Sequence, residues 1–511
     1  MSKTIDIKQI YIFYILYFLI LPLGFLIRVF YSRTISVEDF GIIYSLIGFF
    51  GFISFFTNLG LVSSLSYFIP KFLAKKQFKN IKNIFYYTFF IQLLLLSLTS
   101  LFIYFFSGYI ANNYFHNLSI KPLLEFFLLY FVFSNLLTSI LAVFVSFRKN
   151  ILYQSIKFLE LFSVLSFSII FFILFDTNLI RYYLYSWIIG YFLSFSIFLY
   201  LLYKKFPFFR KKPTWDKTLF VKFKNYSLYL FSSTLGTLIL NQTDIMLIIY
   251  FLGFSQVAFY STAFLLVQTV VGIFGSVLVI ILPILIDTYE KKKITVLNNI
   301  INTFYSIIIF FILPALLVFS LFPEQLLSLL FGEEYVGASG VLRIFSLFLI
   351  FNIVSQYNLV FLNSFGMAKR IMIIIWPVAI MNLVLDIFFI QKMGIIGVAI
   401  ITTTGWIIIT ILTLKILIKE CNLSLDVFKI FKILLCGIIF IGIVLLFKKI
   451  IYIYNYYITS LTILFLGFIS YILIGYFMKI FKINDLYIFF PEGKLKDGIR
   501  RTHNKYFPNF K

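Results

Sequence analysis

The chain has 511 residues, 62% of them hydrophobic and only 12% charged. A soluble domain cannot cover that much apolar side chain with polar surface, which excludes a water-soluble globular fold. The net charge of +24 would point to nucleic acid on a soluble protein, but here it sits in the gaps between apolar blocks and is explained by membrane topology.

The apolar blocks are about 20 residues long, enough to cross a bilayer as helices. They are continuous rather than alternating, which argues against a membrane β-barrel. In chain order the pattern predicts about fourteen transmembrane helices, near 10–30, 42–69, 84–106, 123–147, 153–175, 182–203, 226–252, 256–286, 300–322, 341–365, 371–391, 395–414, 433–450 and 456–478. The first run is long and leads into a second span, so it is expected to be a membrane span and not a cleaved leader.

Loop charge supports this count. With the N-terminus in the cytoplasm, all but eight of the 43 basic residues fall on the cytoplasmic side. The exceptions are Arg33, Lys121, Arg181, Arg343, Lys392, Lys448 and Lys449, with Arg28 inside the first span. The bias is that of the positive-inside rule, and one missed span would invert every later loop. Both termini are therefore expected in the cytoplasm. The Lys71–Lys76 and 204–224 clusters read as topology determinants drawn to anionic lipid. No outer loop is large enough for an extracellular glycan enzyme. Cys421 and Cys436 make no disulfide framework, His116 and His503 lie far apart, and no metal-ligand or nucleotide-binding spacing occurs. No cofactor is expected.

An internal repeat is visible. Phe40-Gly41-Ile42-Ile43-Tyr44 opens an apolar run that reaches Pro70 and then Lys71, Lys75 and Lys76. Val257-Ala258-Phe259-Tyr260 opens another that reaches Pro283 and then Lys291 to Lys293. The two are six spans apart and so share one orientation, the parallel-repeat design of many transporters.

Four stretches carry a family resemblance. They are Arg33 to Gly41 with Asn58-Leu59-Gly60-Leu61 and Tyr67 to Pro70; Asn241-Gln242-Thr243-Asp244 with Val257 to Tyr260; Leu329 to Tyr335 with Leu342-Arg343-Ile344; and Asn363 to Lys369 with Asn382-Leu383 and Met393 to Ala399. In this order and spacing, over about residues 10 to 420, they resemble the Wzx-like polysaccharide flippases of the multidrug/oligosaccharidyl-lipid/polysaccharide exporter superfamily. The resemblance implies an all-α integral membrane fold of two pseudo-symmetric six-helix bundles around a central cavity, plus two C-terminal helices. The implied division is 1–203 and 226–418 for the bundles, 204–225 for a basic cytoplasmic linker, 419–479 for the last two helices and 480–511 for a basic cytoplasmic tail. The implied function is translocation of a polyprenyl-(pyro)phosphate-linked oligosaccharide from the inner to the outer leaflet. The expected partners are that substrate, membrane lipids and the polymerase or glycosyltransferases of the same pathway, not nucleic acid. The alternatives are a cation-coupled drug antiporter of the same superfamily and, behind it, a membrane glycan polymerase. Many such antiporters carry an acid in the first helix, and none stands between Ile10 and Phe30.

Such a task needs cations for phosphate, a polar path for sugar and an opening to lipid for the tail. Ionisable groups inside spans are the first candidates. Arg28, Arg33 and Lys157 are the phosphate candidates. Asp244 and Glu160 are candidates for a coupling ion or a charge pair, with Lys157 and Glu160 spaced to pair on one helix face. The polar candidates are Asn58, Asn241, Gln242, Asn352, Gln356 and Asn363; Asn352, Gln356 and Asn363 share one helix face while Asn358 points elsewhere. Asn135, Gln268 and Asn382 are weaker cases. Against each stands a bland role: Arg28 snorkelling to the surface, and the amides acting as polar glue between helices.

Overall fold

The structure is a computed structural model that describes residues 7–175, 179–450, 456–478 and 480. The tail expected to be cytoplasmic lies outside the described residues, apart from Ile480. The chain is helical throughout, with no strand among the described residues. In bilayer, helices satisfy their own backbone, which is why uninterrupted apolar runs take this form.

The elements are α1 (Ile7–Thr34), α2 (Val37–Asn58), α3 (Leu61–Ala74), α4 (Phe78–Phe105), α5 (Ser107–Asn113), α6 (Lys121–Ser146), α7 (Asn150–Phe175) and α8 (Ile180–Lys205). Then follow α9 (Lys217–Leu252), α10 (Phe254–Glu290), α11 (Ile294–Leu321), α12 (Pro323–Leu330), α13 (Ser339–Ser364), α14 (Ala368–Cys421), α15 (Val427–Ile450) and α16 (Tyr456–Phe477). Twelve are long and apolar enough to cross a membrane. Counting the two halves of α14 separately and adding the shorter apolar α16 gives the expected fourteen. The protein is a multi-pass membrane protein. On α4, Phe90, Leu94, Leu98, Leu101 and Phe105 are exposed at helical spacing, a stripe suited to lipid.

Two expected spans are not simple helices. The second is broken into α2 and α3 at Leu59 and Gly60, both with positive φ. Gly60 takes φ +70°, a left-handed conformation that other residues resist. It also allows a close approach, since a Cβ there would sit 2.3 Å from the Ser227 carbonyl oxygen of α9. The eleventh and twelfth spans form one 54-residue stretch, α14, bent at Gly394 where φ is +58° and ψ is −145°. By contrast α10, counterpart of α2 and α3 in the repeat, is one helix of 37 residues.

The chain divides into two compact units. Unit 1 comprises residues 1–262 and 379–398; unit 2 comprises 263–378 and 399–511. In unit 1 the motif around residue 36 is a helix start. The Ser36 hydroxyl accepts from the Asp39 backbone N–H at 3.1 Å and lies 2.9 Å from its carboxylate. Gly41 then lets α2 press on the start of α10, where a Cβ would overlap the Phe254 carbonyl. In unit 2, Asn358 of α13 bonds Tyr305 of α11 and donates to Thr413 of α14 at 2.9 Å, tying three helices together.

Candidate functional site

Unit 1 holds a cavity of about 560 Å³ among its membrane-spanning helices, within the size range of small-molecule sites. Ser54 and Asn58 face it from α2, Tyr130, Ser134 and Thr138 from α6, Lys157 and Glu160 from α7, and Tyr191 from α8. The α9 wall supplies Thr234, Thr237, Asn241 and Gln242. Phe55, Leu137, Leu141 and Leu238 complete the wall, so the cavity is largely apolar in surface and set with hydroxyls and amides, with one cation and one anion.

The ion pair is built from one turn of α7. Lys157 Nζ lies 3.1 Å from Glu160 Oε2 and 3.3 Å from Oε1. The Glu160 side chain is only 3% exposed, whereas that of Lys157 is 34% exposed and reaches into the cavity. Tyr191 of α8 and Tyr130 of α6 line the same cavity as Glu160, their rings edge to face at 4.9 Å. A buried carboxylate needs a partner such as Lys157 to stay charged. Gly190 makes the arrangement possible. A Cβ there would come within 2.8 Å of Val164 Cγ2, so only glycine lets α8 lie this close to α7 beside Glu160. Trp187 flanks the pair of tyrosines, edge-on to Tyr130 and stacked on Tyr191.

The amides have divided roles. Asn58 caps the restart of the broken span by accepting from the Val62 N–H at 3.1 Å, and lines the cavity. Asn135 is structural: it donates to Ser54 Oγ and the Phe131 carbonyl, both at 2.8 Å, and its own carbonyl accepts from Gln92. Asn241 and Gln242 face the cavity.

A second polar region lies where α9 and the α14 segment of unit 1 carry acids. Asp244 is 6% exposed and accepts a hydrogen bond from the Tyr260 hydroxyl of α10. Asp386 is fully buried, and neither of its carboxyl oxygens has a hydrogen-bond partner among the described residues. Asn382, one turn earlier on the same face, is 1% exposed with both side-chain polar atoms likewise unmatched. The charges of Asp244 and Asp386 lie close enough to act on each other. An unpaired buried carboxyl is costly, and Asp386 carries that cost.

The remaining candidates are dispersed. Arg28 stacks over Tyr44, 4.8 Å from the ring centroid, and also hydrogen-bonds it. Arg33 is exposed near the end of α1. Neither lines the cavity, so the three phosphate candidates do not converge within unit 1. In unit 2, Gln356 donates to the buried Asn352 Oδ1 at 2.7 Å, while Gln356 and Asn363 are exposed. The sequence reading missed Asp386. Its signal was there: an acid in the apolar run Leu383-Val384-Leu385-Asp386-Ile387 is as costly as Asp244.

A family model described as "Polysaccharide biosynthesis protein" matches residues 7–288, more than half of the chain. The chain belongs to this family. It is 27% identical over 418 residues to "Uncharacterized membrane protein MJ1068" of Methanocaldococcus jannaschii, covering 79% of this chain and 82% of that protein. It is 26% identical over 207 residues to "Probable low-salt glycan biosynthesis flippase Agl15" of Haloferax volcanii, covering 40% and 42%. The fold resembles the structure described as "Lipid II flippase MurJ, inward closed conformation", with a TM-score of 0.73 at 16% identity over 91% of this chain and 98% of that one. It also resembles an inward-facing multidrug resistance MATE family transporter of the MOP superfamily, with a TM-score of 0.57 at 16% identity over 80% and 94%. The expected all-helical membrane architecture and the polysaccharide-biosynthesis family are thereby shown.

Proposed function

We propose that this protein moves a polyprenyl-(pyro)phosphate-linked oligosaccharide from the cytoplasmic to the outer leaflet by alternating access, for assembly of a cell-surface polysaccharide. The observation that carries the reading is the unit 1 cavity: a pocket within membrane spans whose largely apolar wall, with Phe55, Leu137, Leu141 and Leu238, is set with hydroxyls and amides. Those polar groups can exchange hydrogen bonds with sugar hydroxyls, beside apolar surface that suits sugar ring faces. Family membership and the flippase among the relatives support the same reading.

In this reading Tyr130, Asn58, Asn241 and Gln242 meet the sugar. Lys157 meets the phosphate only when its bond to Glu160 opens, and Arg28 and Arg33 serve the outer end of the path. Asn352, Gln356 and Asn363 of α13 are the sugar-binding candidates of unit 2. The loop charge supports a cytoplasmic position for both termini. The 1–203 and 226–418 bundles rock about the cavity while the last two helices stay apart from the exchange.

The acid cluster favours a coupled mechanism. Asp244, Asp386 and Asn382 together offer oxygen ligands for a proton or a monovalent cation, and Asp244 sits on the helix that also lines the cavity. Occupancy would favour one access state over the other by its differential affinity for the two. The same cluster would serve the alternative, a cation-coupled antiporter of the same superfamily.

Depletion in the native host separates the two. Build-up of a completed, unpolymerised lipid-linked unit on the inner face, read by mass spectrometry with a side-selective probe, is the expected result. An unchanged pool together with altered resistance to cationic compounds would transfer the assignment to the antiporter.

A further inference from the structure

Between α8 and α9 the chain runs through residues 206–216, and this segment is strapped to the first turns of α4. Lys82 Nζ donates to the Lys212 carbonyl at 2.7 Å. Asn83 donates to Thr214 Oγ1 at 3.1 Å and accepts from the Thr214 N–H at 3.0 Å. Tyr86 donates to the Phe209 carbonyl at 2.6 Å, and the Tyr87 hydroxyl accepts from the Asp216 N–H at 2.9 Å. These four residues, at i, i+1, i+4 and i+5, form a single face of α4.

The strap spends the polar atoms of both tyrosines on backbone and leaves their rings as apolar wall. With Phe90 and Ile91 of α4, Trp215 of the strap and Phe220 of α9, they enclose a groove of about 260 Å³. Its far end, at Phe90, continues into the exposed apolar stripe through Leu94 and Leu98. Its near end is flanked by basic residues: Lys79, Lys211, Lys212 and Lys217 are exposed, while Arg210 turns its Nε to the Tyr203 carbonyl of α8 at 3.2 Å. The acid among them, Asp216, has its carboxylate engaged by the Leu219 N–H at 3.1 Å and the Thr218 hydroxyl at 2.7 Å. Apolar below and cationic above, the groove sits at the ends of two membrane-spanning helices, where headgroups meet hydrocarbon.

We propose that this groove is a binding site for one anionic phospholipid, its phosphate held by Lys211, Lys212 and Lys79, its chain laid past Trp215 and Phe90 into the α4 stripe. A soluble anion would use the cations but not the groove, and a zwitterionic lipid would use the groove without gaining from the cations. The lipid would hold the strap on α4 and so fix the start of α9. The site stands independently of what the protein transports.

Trp215 makes the proposal measurable. The full-length protein in mixed micelles is titrated with phosphatidylglycerol brominated on its chains, and the contribution of Trp215 is isolated by subtracting the W215F variant. Saturable quenching is expected, reversed by unbrominated phosphatidylglycerol but not by chain-matched phosphatidylcholine or by inorganic phosphate. The double variant K211Q/K212Q should lower the preference for the anionic lipid by about fivefold per lysine. The strap holds Lys212 through its carbonyl, so the fold should survive this change. F90D should block the chain while leaving every lysine in place. Equal displacement by phosphatidylcholine would reduce the groove to ordinary lipid contact. Displacement by inorganic phosphate would make it a bare anion site, and unchanged binding in both variants would overturn it.

Discussion

Unit 1 contains two polar regions about one helix, and they handle charge in opposite ways. In the cavity, Glu160 is buried but answered: Lys157 pairs with it on the same helix turn. In the acid cluster, Asp386 is buried and unanswered among the described residues, beside a second acid and an unmatched amide. A balanced pair defines a shape that a neutral sugar can meet without moving charge into the membrane. An unbalanced cluster needs something from solution to complete it. α9 carries one wall of the first region and one acid of the second, so whatever fills the cluster acts on a helix that the cavity shares.

The largest effect should come from breaking the unbalanced region. Asp386→Asn removes the charge while keeping shape, and transport should fall by on the order of 100-fold, the scale set by loss of a coordinating partner. Thermal stability in detergent should hold or rise, because an unpaired buried carboxyl is lost. A variant that unfolds, or one that transports normally, would remove the cluster from the mechanism.

The balanced region predicts the reverse pattern. Lys157→Met leaves Glu160 buried without its cation and should cost about 2–3 kcal/mol, below the value for a fully buried pair because Lys157 is a third exposed. Glu160→Gln should cost less, since the stranded Lys157 can reach the cavity water. The double variant should recover part of the loss, giving a coupling energy of about 1 kcal/mol in an unfolding cycle. Strict additivity would mean that the pair is incidental.

The helix between the regions offers a test of their connection. Gly60→Ala meets both a left-handed φ and the Ser227 carbonyl, and should destabilise unit 1 by about 2 kcal/mol. If α9 links the regions, this variant should loosen amide exchange around Asn241 and around Asp244 together. Loosening confined to α3 would separate them.

How much of this was legible beforehand follows from what a one-dimensional pattern can hold. Spans and loop charge are local, so the helices and the Lys157–Glu160 pair, three residues apart, could be read directly. The break at Gly60 could not, because a glycine in an apolar run looks like any other until the Ser227 backbone is seen against it. The same holds for Arg28. Its charge marked it for phosphate, but only three dimensions show Tyr44 beneath it. Asp244 stood out because Asn241 and Gln242 surround it with polarity. Asp386 had only Asn382, one turn earlier, to mark it in sequence, and the acid that acts on it lies 142 positions away.

The smallest effect concerns how α9 begins. Asp216 is its N-cap, and the Leu219 N–H, with help from the Thr218 hydroxyl, holds its carboxyl below the usual carboxylate range. A depressed folded value means that the cap stabilises above the unfolded-state pKa and that its contribution is lost as pH falls through the folded one. Exchange of the Leu219 amide should therefore be pH-independent, after correction for intrinsic rates, from neutrality down to about pH 4 and should rise below it. Asp216→Asn keeps an acceptor without a titrating charge, so it should flatten that rise and leave the neutral value nearly unchanged. Because α9 reaches both polar regions only several turns later, neither the cavity nor the acid cluster should respond. A response at Asn241 would mean that the start of α9 governs the helix as a rigid rod, and that the two regions are less independent of the strap than their separate charge balances imply.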